Sequence, residues 1–533
     1  MTSPPRGRVA ATLVLAGLVV AAGLCRSREL GPPALWNDDA WVALISRHSW
    51  SDIWVTSLTS VGFRALIGAW IAVVGGAPVA AQALPFACGL LTIPATYRVS
   101  RLLGAGRLAA GFTAAVVAAS PVLVTYSTRV KQYTADALLT LGMIVTVLWL
   151  LRAPERAGRW WVFTLAGVGA VVFSGQLLLV VGPAALIAVA AARPAWPRSW
   201  PAMAAAVGAL FLAGLAWHWA VLAPVIAAGP GRYWEAYYLV ADEGPRAAAQ
   251  SLGLGLRRFV AGAVGPDRVH LAGTGALVLA ALAWRPRLTL ALLLPLLATL
   301  AAAAAGRAPI GARTDAFLVP LVAVAMATGL DALLRGERAG LPARLRTPVA
   351  LGSLALAAAV VLVGAGARAV PAPYPRQDVR SLARLWRAER RADDRTFVST
   401  GAARAFALYS GERVAAVRES TRQRNLMVDH PRISTLPRGA RPEQAEPAVR
   451  EGRRDRRARH VADRRTAAFY LEAIRSALDD RTDRVWLLAA HTGRGEVPLA
   501  EEALRQLGWT VRRHWPTDGD AWLTLYDRGR AAP

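Results

Sequence analysis

The feature that most constrains this chain is its succession of apolar runs, several of which approach or exceed the roughly 18 to 20 residues that cross a bilayer. The first extends from Val9 to Leu24. Later ones include Ala80 to Leu103, Ala202 to Val225, Leu288 to Ala305 and Pro348 to Ala367. Backbone amides in hydrocarbon must bond within their own segment, so such runs are helices. Arginines punctuate them: Arg98, Arg101 and Arg107, then Arg152, Arg156 and Arg159, then Arg193 and Arg198, then Arg285 and Arg287, then the run Arg335 to Arg346. Basic loops stay in the cytoplasm, and placing all of these on that side accommodates about eleven spans. Arg6 and Arg8 put the N-terminus on the same side, so the odd count leaves the C-terminal region outside the cell membrane.

The chain has 533 residues and a net charge of +27. In a soluble protein that charge would suggest nucleic acid. Here much of the arginine marks cytoplasmic loops, and no nucleic-acid partner is expected. The two cysteines, Cys25 and Cys88, lie in or beside apolar runs and define no disulfide framework. Ala22-Gly23-Leu24-Cys25 lacks the small residue expected just before a lipidated cysteine, so the first run is read as a retained helix. Val42 to Thr59 is too polar to span and reads as one or two helices lying in the interface. Leu66 to Val74 is apolar but short, ended by Gly75-Gly76, and reads as re-entrant or surface-lying. Leu108 to Val124 is expected as one outward span.

On this topology the loops with unusual ionisable groups face outward. Trp36-Asn37-Asp38-Asp39-Ala40-Trp41 holds two adjacent carboxylates between tryptophans that suit headgroup depth. Tyr126 to Asp136 carries Arg129 and Lys131, and Gly306 to Asp315 carries Arg313. Gly229 to Asp267 adds Tyr233, Trp234, Tyr237 and Tyr238, an aromatic cluster that reads as an interfacial belt or a sugar platform. His218 and His270 have no ligand spacing, so no metal is assigned. From about Pro371 the composition changes to that of a soluble α/β domain. Val379 to Arg391, Ala467 to Leu478 and Glu501 to Leu507 read as helices; Thr396 to Thr400, Val485 to Ala490 and Trp522 to Tyr526 read as strands. Between them, residues 432–465 are rich in Arg, Pro and Glu and read as a poorly ordered insertion.

Asp38-Asp39-Ala40, just after a first span, resembles the Asp-Glu-Ala signature of the protein O-mannosyltransferase-like enzymes, which include the aminoarabinose transferases that modify lipid A. These belong to the GT-C class of membrane glycosyltransferases. Ser120-Pro121, Tyr126-Ser127 and Lys131-Gln132-Tyr133-Thr134-Ala135-Asp136 are similar to the stretch before the fourth span in many members. Gly311 to Pro320, with Arg313, is similar to a late segment of arginine followed by Leu-x-Pro. The resemblance covers roughly residues 9–370. It implies a GT-C-like transmembrane catalytic domain over residues 1–370; the change of composition and the odd span count add an extracytoplasmic α/β domain over 371–533, with its Arg-rich insertion. The resemblance further implies transfer of a sugar from a polyprenyl-phosphate donor to an acceptor hydroxyl, with inversion.

In the family the first acid of the signature is the general base, which maps to Asp38. The second is normally Glu, so the shorter Asp39 weakens any role carried over to it. A hydroxyl is a poor nucleophile, and a positioned base contributes about a hundred- to ten-thousandfold. The departing lipid phosphate gathers negative charge that cations must meet, and Arg129, Lys131 and Arg313 are the candidates. Tyr133 and Asp136 are further substrate-binding candidates. Arg129 and Lys131 equally suit snorkelling anchors, Asp136 a favourable place on a helix dipole, and Arg313 a pair with Asp315. No cofactor is expected, although some GT-C enzymes use a divalent ion near the acids. Expected partners are the polyprenyl-phosphate sugar, membrane lipids and a cell-envelope acceptor, whether glycan, lipid or protein. Two other classes fit a polytopic chain: a transporter or flippase of a lipid-linked sugar, and a non-catalytic scaffold binding cell-wall polymer. A transporter places ionisable groups in mid-span, whereas these cluster at span ends.

Overall fold

A computed structural model describes residues 5–31, 34–46, 60–222, 237–239, 244–311, 313–335, 377–412, 414–420, 423–428, 432–436, 456–490 and 496–528. In chain order its helices are α1 (Pro5–Ser27), α2 (Asn37–Ile45), α3 (Val61–Val74), α4 (Pro78–Leu102), α5 (Arg107–Ala119), α6 (Pro121–Ser127), α7 (Tyr133–Leu150), α8 (Ala157–Phe173), α9 (Leu178–Ala191), α10 (Trp196–Trp217), α11 (Pro245–Ala263), α12 (Arg268–Trp284), α13 (Pro286–Ala304), α14 (Val319–Arg335), α15 (Val379–Glu389), α16 (Ala403–Ser410), α17 (Arg456–Ala477) and α18 (Glu496–Gln506). The strands are β1 (Arg395–Val398), β2 (Val414–Ser420), β3 (Gln423–Val428), β4 (Ile433–Thr435), β5 (Arg484–Ala490), β6 (Trp509–Pro516) and β7 (Ala521–Arg528).

The chain divides into two compact units. A helical unit comprises Met1–Leu30, Ile53–Gly75 and Ala80–Pro371, and an α/β unit comprises Gly31–Asp52, Gly76–Val79 and Ala372–Pro533. Thus α2, with the acid pair, clusters with the α/β unit rather than with the helices that flank it in sequence. The expected span Pro348 to Ala367, the basic run beyond Arg335, and Tyr233 and Trp234 lie outside the described residues.

Among the described residues of the helical unit five helices are long and apolar enough to cross a bilayer: Pro78–Leu102, Tyr133–Leu150, Arg198–Ala220, Pro286–Ala304 and Arg313–Arg335. Shorter apolar helices cover other expected runs, among them Ala157–Phe173, Gly175–Ala191 and Arg268–Trp284. Leu108 to Val124 is not one straight span: α5 and α6 meet at an angle of 55°. The cause is local. Ser120 precedes Pro121 and takes an extended conformation, with φ −60° and ψ 123°, because the proline ring disfavours the helical one. Leu66 to Val74, expected to lie on or re-enter the surface, is the C-terminal part of α3.

Helix α14 forms the centre of this unit. Of its most apolar stretch 89% is buried, against 17% for that of Arg198–Ala220, which keeps most of its surface outward. α12 and α14 approach so closely that any side chain at Gly329 would run into the Leu277 carbonyl, the small-residue contact that membrane helices favour. Buried hydroxyls are satisfied locally. Thr92, Thr96, Ser100, Thr113, Thr140 and Thr328 each donate to the carbonyl four residues earlier, which removes the cost of leaving them unpaired.

The α/β unit is built on a five-stranded sheet of order β4-β1-β5-β7-β6. β4, β1 and β5 run parallel; β7 and β6 are antiparallel to their neighbours. β5 is buried along its whole length, as a continuous apolar run requires of a strand covered on both faces. Residues 432–465 differ from the expected insertion at both ends: Ile433–Thr435 pairs with β1, and α17 begins at Arg456 rather than Ala467. Among the described residues, α16, β2, β3, β4 and β6 had no counterpart among the elements expected from the sequence, and in the helical unit α11 lies within Gly229 to Asp267, which was expected as an external loop.

Candidate active site

The two carboxylates of the tryptophan-flanked stretch lie in the first turn of α2, where the partial positive charge of the helix N-terminus favours acids. Adjacent residues on a helix point about 100° apart, and here the two separate sharply. The Asp39 residue is 1% exposed, whereas the Asp38 side chain is 25% exposed and reachable from solvent. Residues three apart share a helix face, so Asp38 and Trp41 stand side by side. Both meet one residue of α16: Arg404 lies with its Nη1 3.5 Å from Asp38 Oδ1 and its guanidinium carbon 4.1 Å from the centre of the Trp41 ring. The Leu35 backbone N–H donates to the Tyr409 hydroxyl at 2.9 Å, tying the approach to α2 onto the same helix.

α16 is itself held firmly. Phe406 packs edge-on to Trp386 of α15, with ring centres 5.0 Å apart, and Trp386 donates its indole N–H to Thr396 of β1. Arg387 donates to the Ser410 and Tyr409 carbonyls at the helix end, where Gly411 takes the left-handed conformation at φ 68°, a helix termination that glycine makes without steric cost.

The remaining candidates belong to the helical unit. The loop before α7 is pinned to α4: Gln82 donates to the Thr128 carbonyl at 2.6 Å, and Thr134 donates to the Pro85 carbonyl at 2.9 Å. Within it Lys131 is buried, Arg129 is half-buried, and Tyr133 packs edge-on to Tyr126 with ring centres 4.8 Å apart. Asp136 lies in the first turn of α7 and is 1% exposed. Neither of its carboxylate oxygens has a hydrogen-bond partner among the described residues; the Ser174 hydroxyl lies beside it without closing a well-formed bond. Arg313 opens a 3₁₀ turn, Arg313–Leu318, that packs against α7, so this arginine and the Lys131 loop are drawn to the same helix. Asp315 accepts from the Gly311 N–H and the Thr314 hydroxyl, closing its own turn.

Three arginines with notable surroundings were not anticipated from the sequence. Arg404 lies 366 positions from Asp38, and no local pattern marks it. Arg26, at the end of α1, is buried and donates to the carbonyls of Gly89, Val117 and Ala118, fixing the end of α5 just before the bend; an arginine closing an apolar run was the available signal. Arg64 is buried within α3. His270 serves the fold: together with Asp267 it forms the box that caps α12. Among the described residues no three His, Cys, Asp or Glu side chains gather as they would around a metal ion. A cavity of about 380 Å³ in the α/β unit is lined by Trp386, Arg390, Asp394 and Thr396 among others. Arg390 pairs with Glu412, Asp394 accepts from Trp486, and Thr396 accepts from Trp386, so this polar lining is already engaged.

Residues 60–219 match the family profile described as dolichyl-phosphate-mannose-protein mannosyltransferase. ArnT from Cupriavidus metallidurans bound to undecaprenyl phosphate is 14% identical, with a TM-score of 0.54 and 98% of each chain covered. The apo form of the same protein gives a TM-score of 0.52 at 14% identity, covering 97% of this chain and 98% of that one. The arabinofuranosyltransferase AftD from Mycobacteria matches at 15% identity and a TM-score of 0.50, over 97% of this chain and 41% of that one. No curated protein matches by sequence. The fold is that of the GT-C membrane glycosyltransferases, and the resemblance to the protein O-mannosyltransferase and aminoarabinose transferase-like enzymes holds. The likeness to glycosyltransferases is one of fold along the chain and of family profile over residues 60–219, and several described helices are long and apolar enough to cross a membrane.

Proposed function

We propose that this protein transfers a sugar from a polyprenyl-phosphate donor to an acceptor hydroxyl at the outer membrane face, with inversion at the anomeric carbon. Asp38 takes the hydroxyl proton as the acceptor oxygen attacks; the bond from the anomeric carbon to the phosphate oxygen breaks, and polyprenyl phosphate leaves with that electron pair. Arg129, Lys131 and Arg313 meet the charge on the phosphate, the arginines in two-pronged fashion and the lysine as a point charge. Tyr133 and Asp136 contact the substrate. The observation that carries this reading is an accessible carboxylate at the start of α2 in a chain with a GT-C fold along its length; extension from fold to chemistry is by analogy with that class. Asp39, 1% exposed in the same turn, is read as the supporting acid of the pair, with Asp38 as the base.

A flippase for a lipid-linked sugar is the second reading: Asp136 is a buried ionisable group on a helix long enough to cross the bilayer, but it sits in the first turn, whereas a transport pathway calls for such groups in mid-span. Purified full-length protein in proteoliposomes, given a radiolabelled polyprenyl-phosphate sugar, separates the two. Release of labelled sugar to water or acceptor by wild type, lost in Asp38→Asn, supports transfer. Movement of intact donor between leaflets with no bond cleavage supports the flippase and removes the enzyme.

A further inference from the structure

Sugar transfer at a membrane does not by itself explain why a soluble α/β region accompanies the helices. The contacts of Arg404 supply a reason. α2 is short, only nine residues, and such helices are marginal in isolation. Its residues from Asp39 to Ile45 are all buried, and within its unit it packs on α16. Arg404 is the second residue of α16. A cation in the first turn of a helix opposes the helix dipole. Here the opposition is offset from outside the helix: the guanidinium stacks on Trp41 and faces Asp38. Trp41 underlies the guanidinium, and one guanidinium nitrogen faces the carboxylate three residues earlier on the helix. α16 is locked in turn by Trp386, Arg387 and Gly411.

We propose that Arg404 is a positioning residue for Asp38, and that the α/β region exists in part to hold the general base ionised and correctly turned. This rests on the assignment of Asp38 as base. A cation within about 4–6 Å of a carboxylate favours its charged form. The base therefore stays deprotonated, and the enzyme active, to lower pH than it would without Arg404. Arg404 itself transfers no proton.

The test uses the full-length protein in proteoliposomes with undecaprenyl-phosphate-linked radiolabelled mannose, and in parallel the arabinose counterpart. Water serves as acceptor, so donor plus water gives undecaprenyl phosphate plus free sugar. Arg404→Met is expected to lower kcat about tenfold and to move the acid limb of the pH–rate profile up by about one pH unit. Arg404→Lys keeps the charge and returns the limb toward its wild-type position while leaving kcat reduced, because a lysine lacks the flat fork that stacks on Trp41. A purely structural role would lower turnover in both variants and leave the limb in place, and that result overturns the proposal. Thermal unfolding of Arg404→Met, Asp38→Asn and the double variant gives a reading independent of turnover: non-additive shifts support the contact, and strict additivity overturns it. Wild-type turnover in Asp38→Asn would remove the base assignment and this inference with it. An inactive Asp38→Asn beside an unmoved limb in Arg404→Met removes the role of Arg404 alone.

Discussion

The first turns of α2 and α7 carry Asp38 and Asp136, and they treat them in opposite ways. In α2, Asp38 is open to solvent and faces a guanidinium 3.5 Å away. In α7, Asp136 is 1% exposed and finds no hydrogen-bond partner among the described residues. Both lie in a first turn, where the dipole favours an acid. Solvation differs, and solvation decides what each acid can do. A group that must collect a proton from an incoming hydroxyl has to be reachable, and Asp38 is. A buried carboxylate without a partner is costly to the fold, and such sites persist where function requires them. The two acids thus have two kinds of setting: an accessible one in the α/β unit, and an enclosed one in the first turn of α7, the helix against which the Arg313 turn packs.

The largest expected effect breaks the comparison at α2. Asp38→Asn should lower sugar release by about a hundredfold or more, the scale of a positioned general base, whereas Asp39→Asn should retain far more turnover and act chiefly on stability. Equal losses in radiolabel release would erase the distinction between the two acids. Next come the cations of the helical unit. Lys131→Met or Arg313→Met should each cost about tenfold to a hundredfold in kcat/KM, the worth of a hydrogen bond to a charged group, with Tm changed little. Steady-state kinetics over donor concentration tests this, and unchanged kcat/KM would leave those residues as helix anchors.

Asp136→Asn sharpens the enclosed side. It replaces a buried carboxyl that lacks a well-formed partner with an amide of the same shape, so melting should change little while turnover falls. A lower Tm with normal turnover would make Asp136 a structural residue. The smallest effect lies far from either acid. Arg505 and Gln506 hold the exposed Glu502 carboxyl below the usual range. A carboxyl lowered in the folded state contributes stability that is present above its unfolded pKa and is lost as pH falls through its folded pKa. Glu502→Gln should therefore lower the Tm of the α/β unit slightly at neutral pH. The two melting curves should converge in acid, and a gap that persisted there would disconnect the pair from stability.

What the sequence disclosed follows from how local each signal is. β5 was legible because Val485 to Ala490 is an uninterrupted apolar run, which a buried parallel strand needs. β6 was not: between Trp509 and Pro516 most residues are exposed, and a register shift between Val511 and Arg513 interrupts its alternation. The bend at Pro121 was written in the chain, since the residue before proline avoids the helical conformation, but an apolar run on both sides masked it. The acid pair and the Lys131 stretch could be picked out by residue type and order. Arg404 could not, because its two partners come from a stretch hundreds of residues earlier and nothing in Ala402-Ala403-Arg404-Ala405 sets it apart from any helix arginine. Local chemistry announces itself; a contact made only by folding does not.

Chemical rescue tests the central claim most directly. Asp38→Ala opens space at the start of α2, and a small carboxylate such as formate can then enter and accept the proton. With Asp38 as the base, Asp38→Ala in proteoliposomes should release sugar from a polyprenyl-phosphate donor at least about a hundredfold more slowly than wild type. Added formate should restore part of that rate in proportion to its concentration. Wild-type rates in Asp38→Ala without formate would contradict it.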